Sequence, residues 1–213
     1  MSNNEKRKQN RIAIVDKIVD FAQDYKENLL GNTFMFVFDN RFIEISFTIK
    51  EFAHLTGVDK KLTAKEFYND ALNKRLRENQ IWFSERYPYE LCVKKTKNLK
   101  FLYPSLNSAL FILETIKTDT YTYKFGFTEL EFTLLLGEDI DKNGNKRSKY
   151  FFPKSFRIED CFKKSENVYA VDYIFKKKND KKIYDSILYN SDVQIPTELK
   201  DKISEDIYTT LNI

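Results

Sequence analysis

Residues 33–47 read TFMFVFDNRFIEISF, and residues 48–57 read TIKEFAHLTG. Two apolar runs, rich in aromatic and β-branched residues, flank Asp39-Asn40, so Thr33–Phe47 is predicted to be a β-hairpin. Ile49–Leu55 then reads as a short helix that stops at Gly57. A strand pair feeding a glycine-terminated helix presents a polar side chain at a fixed place. Here that side chain is His54, the only histidine of the chain.

Upstream of the hairpin, Ile12, Val15, Ile18, Val19, Ala22, Tyr25 and Leu29 recur at three- and four-residue spacing. They predict an amphipathic helix over residues 8–30, ended by Gly31. Downstream, TAKEFYNDALNKRLREN (residues 63–79) places Thr63 and Glu66 at capping-box spacing, with Phe67, Leu72 and Leu76 as an apolar stripe. Residues 80–92, with the sole Trp82, fit neither period. Leu99, Leu102, Leu106, Leu110 and Leu113 predict one or two helices between Thr96 and Thr118, with Pro104 at a start or kink.

Four strand-like runs follow: TYTYKFGF (120–127), LEFTLLLG (130–137), KYFFPKSF (149–156) and NVYAVDYIFKKK (167–178). Turn signals separate them, Asn143-Gly144 being the strongest. Pro153 inside the third run marks an edge or a bulge that could aim Lys154 into a cleft. A terminal helix over 197–211, capped by Thr197, completes the reading. The expected architecture is α+β: a helical N-terminal half packed against a four-stranded antiparallel β-meander, with flanking terminal helices, as a single domain over residues 1–213.

The composition is that of a folded chain. Apolar residues make up 42% and charged residues 32%, while 5 Gly and 4 Pro are too few for a disordered or loop-rich scaffold. Cys92 and Cys161 alone give neither a disulfide framework nor a zinc set, which points to a reducing cytoplasm. The apolar positions of the N-terminus are interrupted by Asp16, Lys17 and Asp20, so neither a signal peptide nor a membrane contact is expected. Abundant Lys, Asn and Ile hint at an AT-rich genome, that of a bacterium or its phage. A net charge of +4 permits nucleic-acid contact.

Phosphate-cradling, dinucleotide-binding and nucleophile-elbow motifs are absent from the sequence. What it offers instead is Lys, Tyr, Ser and Thr with one His, the residue set of a metal-independent ribonuclease or a nucleic-acid binder. Cleavage by internal attack needs a proton acceptor for the 2′-hydroxyl, cations for the phosphate and a proton donor for the 5′-oxygen. Histidine suits either proton role, because its unperturbed pKa is about 6.5. Metal and cofactor are not expected.

EISFTIKEFAHLTGV, then KKTKNLKFLYPSLNSAL, then KYFFPKSF at the end of a meander resembles the phage-associated nuclease-like family of the barnase–EndoU–colicin–RelE group. The resemblance spans about residues 33–176. It implies a metal-independent endoribonuclease of toxin or phage-effector type, acting in the cytoplasm of a bacterial or phage-infected cell. The implied partners are RNA, tRNA or mRNA for instance, and an antitoxin or a host defence protein. By the same resemblance His54 is the general acid or base, Lys97 is the preferred phosphate contact, and Lys154 and Ser155 complete the cationic pocket. Thr56, Lys94 and Lys95 are expected to contact substrate. No second proton-transfer residue stands out, so His54 would need help from Tyr, Lys or water.

Structural readings stand beside these. A histidine between Ala53 and Leu55 also fits a packed or capping role, and Lys94–Lys97 a solvated turn. Tyr121, Tyr123, Phe125 and Phe127 alternate as a half-buried strand does. The alternative function is a non-catalytic phage or mobile-element protein that binds and inhibits a host defence protein or nucleic acid.

Overall fold

The hairpin at residues 33–47 lies at the centre of the structure, a computed structural model that describes residues 2–211. In chain order, helix α1 (Asn3–Asp24) passes through a π turn (Tyr25–Leu29) into strands β1 (Asn32–Phe38) and β2 (Arg41–Ser46). Next come α2 (Ile49–Thr56), β3 (Asp59–Lys60), α3 (Ala64–Leu72), β4 (Ile81–Trp82), α4 (Tyr89–Asn98) and α5 (Leu102–Ser105). The second half comprises β5 (Phe111–Lys117), β6 (Thr122–Thr128), β7 (Thr133–Ile140), β8 (Lys146–Arg157), β9 (Asn167–Ala170), β10 (Tyr173–Lys178), β11 (Ser186–Asn190) and α6 (Glu205–Leu211).

Asp39 and Asn40 both adopt left-handed backbone, with φ of 49° and 53°. That is the two-residue turn whose twist matches the strands it joins, and it sets the register Phe38↔Arg41 to Thr33↔Ser46. All seven residues of β1 are buried, because both faces of the strand are covered. Phe34, Phe36 and Phe38 face the main core, whereas Met35 and Val37 face a C-terminal layer formed by Tyr184, Ile195, Leu199 and Ile203. In the middle of β2, the buried carboxylate of Glu44 accepts from Tyr184 Oη at 2.7 Å and lies 2.8 Å from Lys149 Nζ.

The sheet has nine strands among the described residues, ordered β11-β10-β1-β2-β8-β7-β6-β5-β9. Every pairing is antiparallel except β2 with β8, which run parallel through Ile45↔Phe151. In a flat sheet β1 and β6 would lie about 19 Å apart, at the usual strand spacing. Their rings nevertheless touch, Phe36 to Phe127 at 5.2 Å and Phe38 to Phe125 at 6.2 Å. The sheet is therefore strongly curled, and only Val171 and Asp172 separate edge strand β9 from β10.

This corrects the expected four-stranded meander. The class is α+β, but the run 167–178 splits into β9 and β10, which pair with β5 and β1 respectively. Residues 111–117, expected to be helical, form β5. The leucine spacing continues across the break by coincidence, while Ile112, Thr115 and Ile116 supply the β-branched side chains a strand favours. The helix expected over 197–211 is a 3₁₀ turn (Thr197–Leu199) followed by α6. Between them Tyr184 takes the backbone groups: its N–H donates to Lys202 O and its carbonyl accepts from Ser204 N. The helix expected to reach residue 79 ends at Leu72, and Lys74 turns into left-handed backbone.

Helix α2 is fixed by aromatic packing. The Phe52 ring, fully buried, lies 5.1–5.6 Å from those of Tyr68, Tyr25 and Phe21. Tyr25 Oη also donates to the carbonyl of Thr48, the residue that caps α2. Phe52→Ala is expected to cost about 3–5 kcal/mol, the usual range for a phenylalanine truncated in a close-packed core. Urea unfolding with an unchanged slope would measure it; a cost below about 1 kcal/mol would mean that the cluster is not what holds α2.

Candidate active site

Three sequence features set the orientation of α2. Thr48 caps it, and Glu51 reaches back to the Thr48 backbone N–H and hydroxyl at 3.0 and 2.5 Å. Gly57 ends it in left-handed backbone at φ 69°. Phe52 and Leu55 point into the core, so His54 is left exposed on the last turn. Its imidazole is held below the ordinary histidine pKa. Partial desolvation is the main cause, with Lys154, Lys60 and Arg86 pushing the same way and Glu51 opposing. At neutral pH His54 is therefore an unprotonated base.

Gly57 has a second role. The stem of Lys95, from α4, passes directly over it, and a Cβ at position 57 would lie 2.5 Å from Lys95 Cδ. One turn earlier, Cys92 Sγ lies 2.7 Å from the Gly57 carbonyl oxygen and ties α4 to the end of α2. Lys95 is only 5% exposed. Burial, and then the nearby Arg157 and Arg86 cations, bring its pKa down to about 8, with Cys92 opposing.

A similar arrangement recurs on the sheet. Leu135 pairs with Ser155 and Leu136 with Pro153, which leaves Lys154 as the extra residue of a β-bulge. Its stem crosses Gly137, where a Cβ would lie 2.8 Å from Lys154 Cγ. Two lysines from different elements thus approach through gaps left by two glycines.

Both line a cavity of about 900 Å³. Helix α2 contributes His54, and α4 contributes Lys94 and Lys95. Lys154, Ser155 and Arg157 come from β8, Arg86 and Tyr87 from the loop before α4, and Tyr123 from β6. Among the described residues, Arg86, Lys94, Lys95, Lys154 and Arg157 form no ion pair. Arg157 Nε is buried without a hydrogen-bond partner. The one carboxylate of the lining, Glu159, is already bound by Lys164 Nζ at 2.6 and 2.8 Å. A concave site with this surplus of unpaired cations attracts anions.

The structure thus gathers His54, Lys94, Lys95, Lys154 and Ser155 around one cavity. Lys97 lies elsewhere: it lines a separate groove with Lys17, Asp20, Asp24 and Lys100 beside α1. Thr56 is fully buried, and its hydroxyl donates to Ala53 O at 2.9 Å, so it does not face the cavity. Arg86, Tyr87, Tyr123 and Arg157 were not foreseen. Arg157 follows Ser155 at the two-residue period of a strand and was legible by that rule; Arg86 and Tyr87 sit in the stretch without periodicity. Among the described residues no three His, Cys, Asp or Glu side chains come together as a metal site, and no helix is long and apolar enough to cross a membrane.

A cleft presenting one histidine among unpaired cations suits an anionic ligand such as a phosphodiester. Comparison with known families agrees: the phage-Barnase-EndoU-ColicinE5/D-RelE like nuclease 4 family matches residues 17–192. The chain belongs to this family. The match begins inside α1 and runs past β11, beyond the 33–176 span carried by the short motifs. Neither the curated proteins nor the solved structures contain a significant match to the chain.

Lys95 gives a test of the electrostatics. Its pKa is depressed in the fold, so the unfolded chain binds more protons between about pH 8 and the ordinary lysine value, and stability rises with pH across that window. Below it, the buried charge is a standing cost. Lys95→Met is expected to stabilise the fold at pH 7 by on the order of 1–3 kcal/mol, with the gain shrinking from about pH 8 upward and mostly gone by pH 10. Thermal unfolding at pH 7 and pH 10 checks both; a destabilised variant at pH 7 would show that Lys95 is a paired structural group.

Proposed function

We propose that the protein is a metal-independent endoribonuclease that cleaves RNA by attack of the 2′-hydroxyl on the adjacent phosphate. One observation carries the reading: a histidine poised as a neutral base opens onto the same cavity as Lys95, Lys154 and Arg157, none of them ion-paired. This donor set suits a phosphodiester in transit between charge states.

His54 takes the 2′-hydroxyl proton as the oxygen attacks phosphorus. Lys154 and Arg157 meet the charge that develops on the non-bridging oxygens, and Ser155 hydrogen-bonds one of them. Lys95 supplies the second proton-transfer group, which the sequence alone did not single out. With a pKa of about 8 it is protonated at neutral pH yet acidic enough to give a proton to the departing 5′-oxygen. The products are a 2′,3′-cyclic phosphate and a free 5′-hydroxyl. The setting we assign is the cytoplasm of a bacterial or phage-infected cell, with the protein a toxin or phage effector and cellular RNA its target.

His54→Ala is expected to lower cleavage of a single-stranded RNA by about 10²- to 10⁴-fold, the usual contribution of one general acid or base, with the melting temperature nearly unchanged. Lys95→Ala should lower it comparably, whereas Lys97→Ala should stay within twofold of wild type. The rate should rise with pH as His54 deprotonates, somewhat below pH 6.5, and fall above about pH 8 as Lys95 loses its proton. Full activity in His54→Ala, or a Lys97→Ala defect matching that of Lys95→Ala, would overturn the assignment.

A further inference from the structure

His54, Arg86 and Tyr87 line two cavities. On one side lies the 900 Å³ cleft with its lysines; on the other lies a smaller basin of about 290 Å³. The smaller basin is lined by Ala53, Gly57, Val58 and Ala64, with the cations Lys50, Lys60 and Arg86 outnumbering its one carboxylate, Asp59. Small apolar residues with cations among them suit a flat heterocycle bearing a phosphate. The three shared residues stand between the two spaces as a ridge. Tyr87 is half-buried on that ridge, with the Arg86 guanidinium 5.3 Å and Lys95 Nζ 5.6 Å from its ring centroid. An aromatic ring beside a planar guanidinium is the surface on which unpaired bases stack.

We propose that the smaller basin is a second nucleotide subsite, so that a single strand crosses the His54–Tyr87 ridge with one nucleotide on each side of the scissile phosphate. The proposal rests on the nuclease reading of the large cleft and adds to it the substrate class: unpaired RNA of at least two consecutive nucleotides. A duplex cannot use the ridge, because its bases are stacked on one another and unavailable to Tyr87. Tyr87 and Arg86 are then the residues that hold the base in the small basin, while His54 and Lys95 act on the phosphate between.

Binding tests this independently of turnover. Fluorescence anisotropy would be measured with 2′-O-methyl RNA probes of one, two and four nucleotides and with a short 2′-O-methyl duplex, using wild type, Tyr87→Ala and Ala64→Trp, the last filling the basin from the first turn of α3. The expected result is a step in affinity of roughly tenfold or more between one and two nucleotides, weak duplex binding, and loss of the step in both variants. A second nucleotide that adds nothing, or a step that survives in both variants, overturns the second subsite. If Ala64→Trp does not fold, Tyr87→Ala alone decides. Cleavage of unmodified RNA is followed in parallel: the affinity step without cleavage defeats the nuclease reading and leaves the two-basin binding intact, whereas cleavage without the step does the reverse.

Discussion

The close pass of Lys95 over Gly57 is the contact on which the site depends. It fixes three things together: where α2 must stop, how near α4 can approach, and where a buried ammonium emerges. A Cβ at position 57 would strike Lys95 Cδ, and the left-handed backbone there favours glycine as well. The thiol of Cys92 on the Gly57 carbonyl oxygen holds the two helices in that register. His54 and Lys95 are therefore positioned by one junction, although they lie on different elements.

Around this junction the protein tolerates an unfavourable charge arrangement. Burial works against the charged form of Lys95, and Arg157 and Arg86 add repulsion. A fold selected for stability alone would pair these cations or replace them with apolar groups. The structure meets the cost elsewhere, through the ring cluster of Phe21, Tyr25, Phe52 and Tyr68 beneath α2 and the curled sheet that brings Phe36 onto Phe127. An anion in the cleft would relieve the repulsion.

How much of this could be read from the chain follows from the range of each interaction. The hairpin at Asp39-Asn40 and the short helix carrying His54 were legible because turn chemistry and a glycine stop are local. The bulge at Lys154 was signalled by Pro153, which cannot donate to a ladder. By contrast, Lys94, Lys95 and Lys97 are adjacent in sequence but point in different directions from a helix, with Lys95 and Lys97 about 200° apart. Only tertiary packing decides which of them share a cavity with His54, and Lys94 and Lys95 do while Lys97 does not. The nine-strand order was hidden for a similar reason. The split of residues 167–178 into β9 and β10 depends on partners more than fifty residues upstream in β5 and well over a hundred upstream in β1.

The most direct test of the account is the chemistry of the cut ends. A defined single-stranded RNA would be incubated with the protein and the products weighed by mass spectrometry, beside the same strand carrying 2′-O-methyl groups. The expected products carry 2′,3′-cyclic phosphate and 5′-hydroxyl ends, and the methylated strand stays intact. Products ending in 5′-phosphate and 3′-hydroxyl, or cleavage that persists when every 2′-oxygen is blocked, would contradict it.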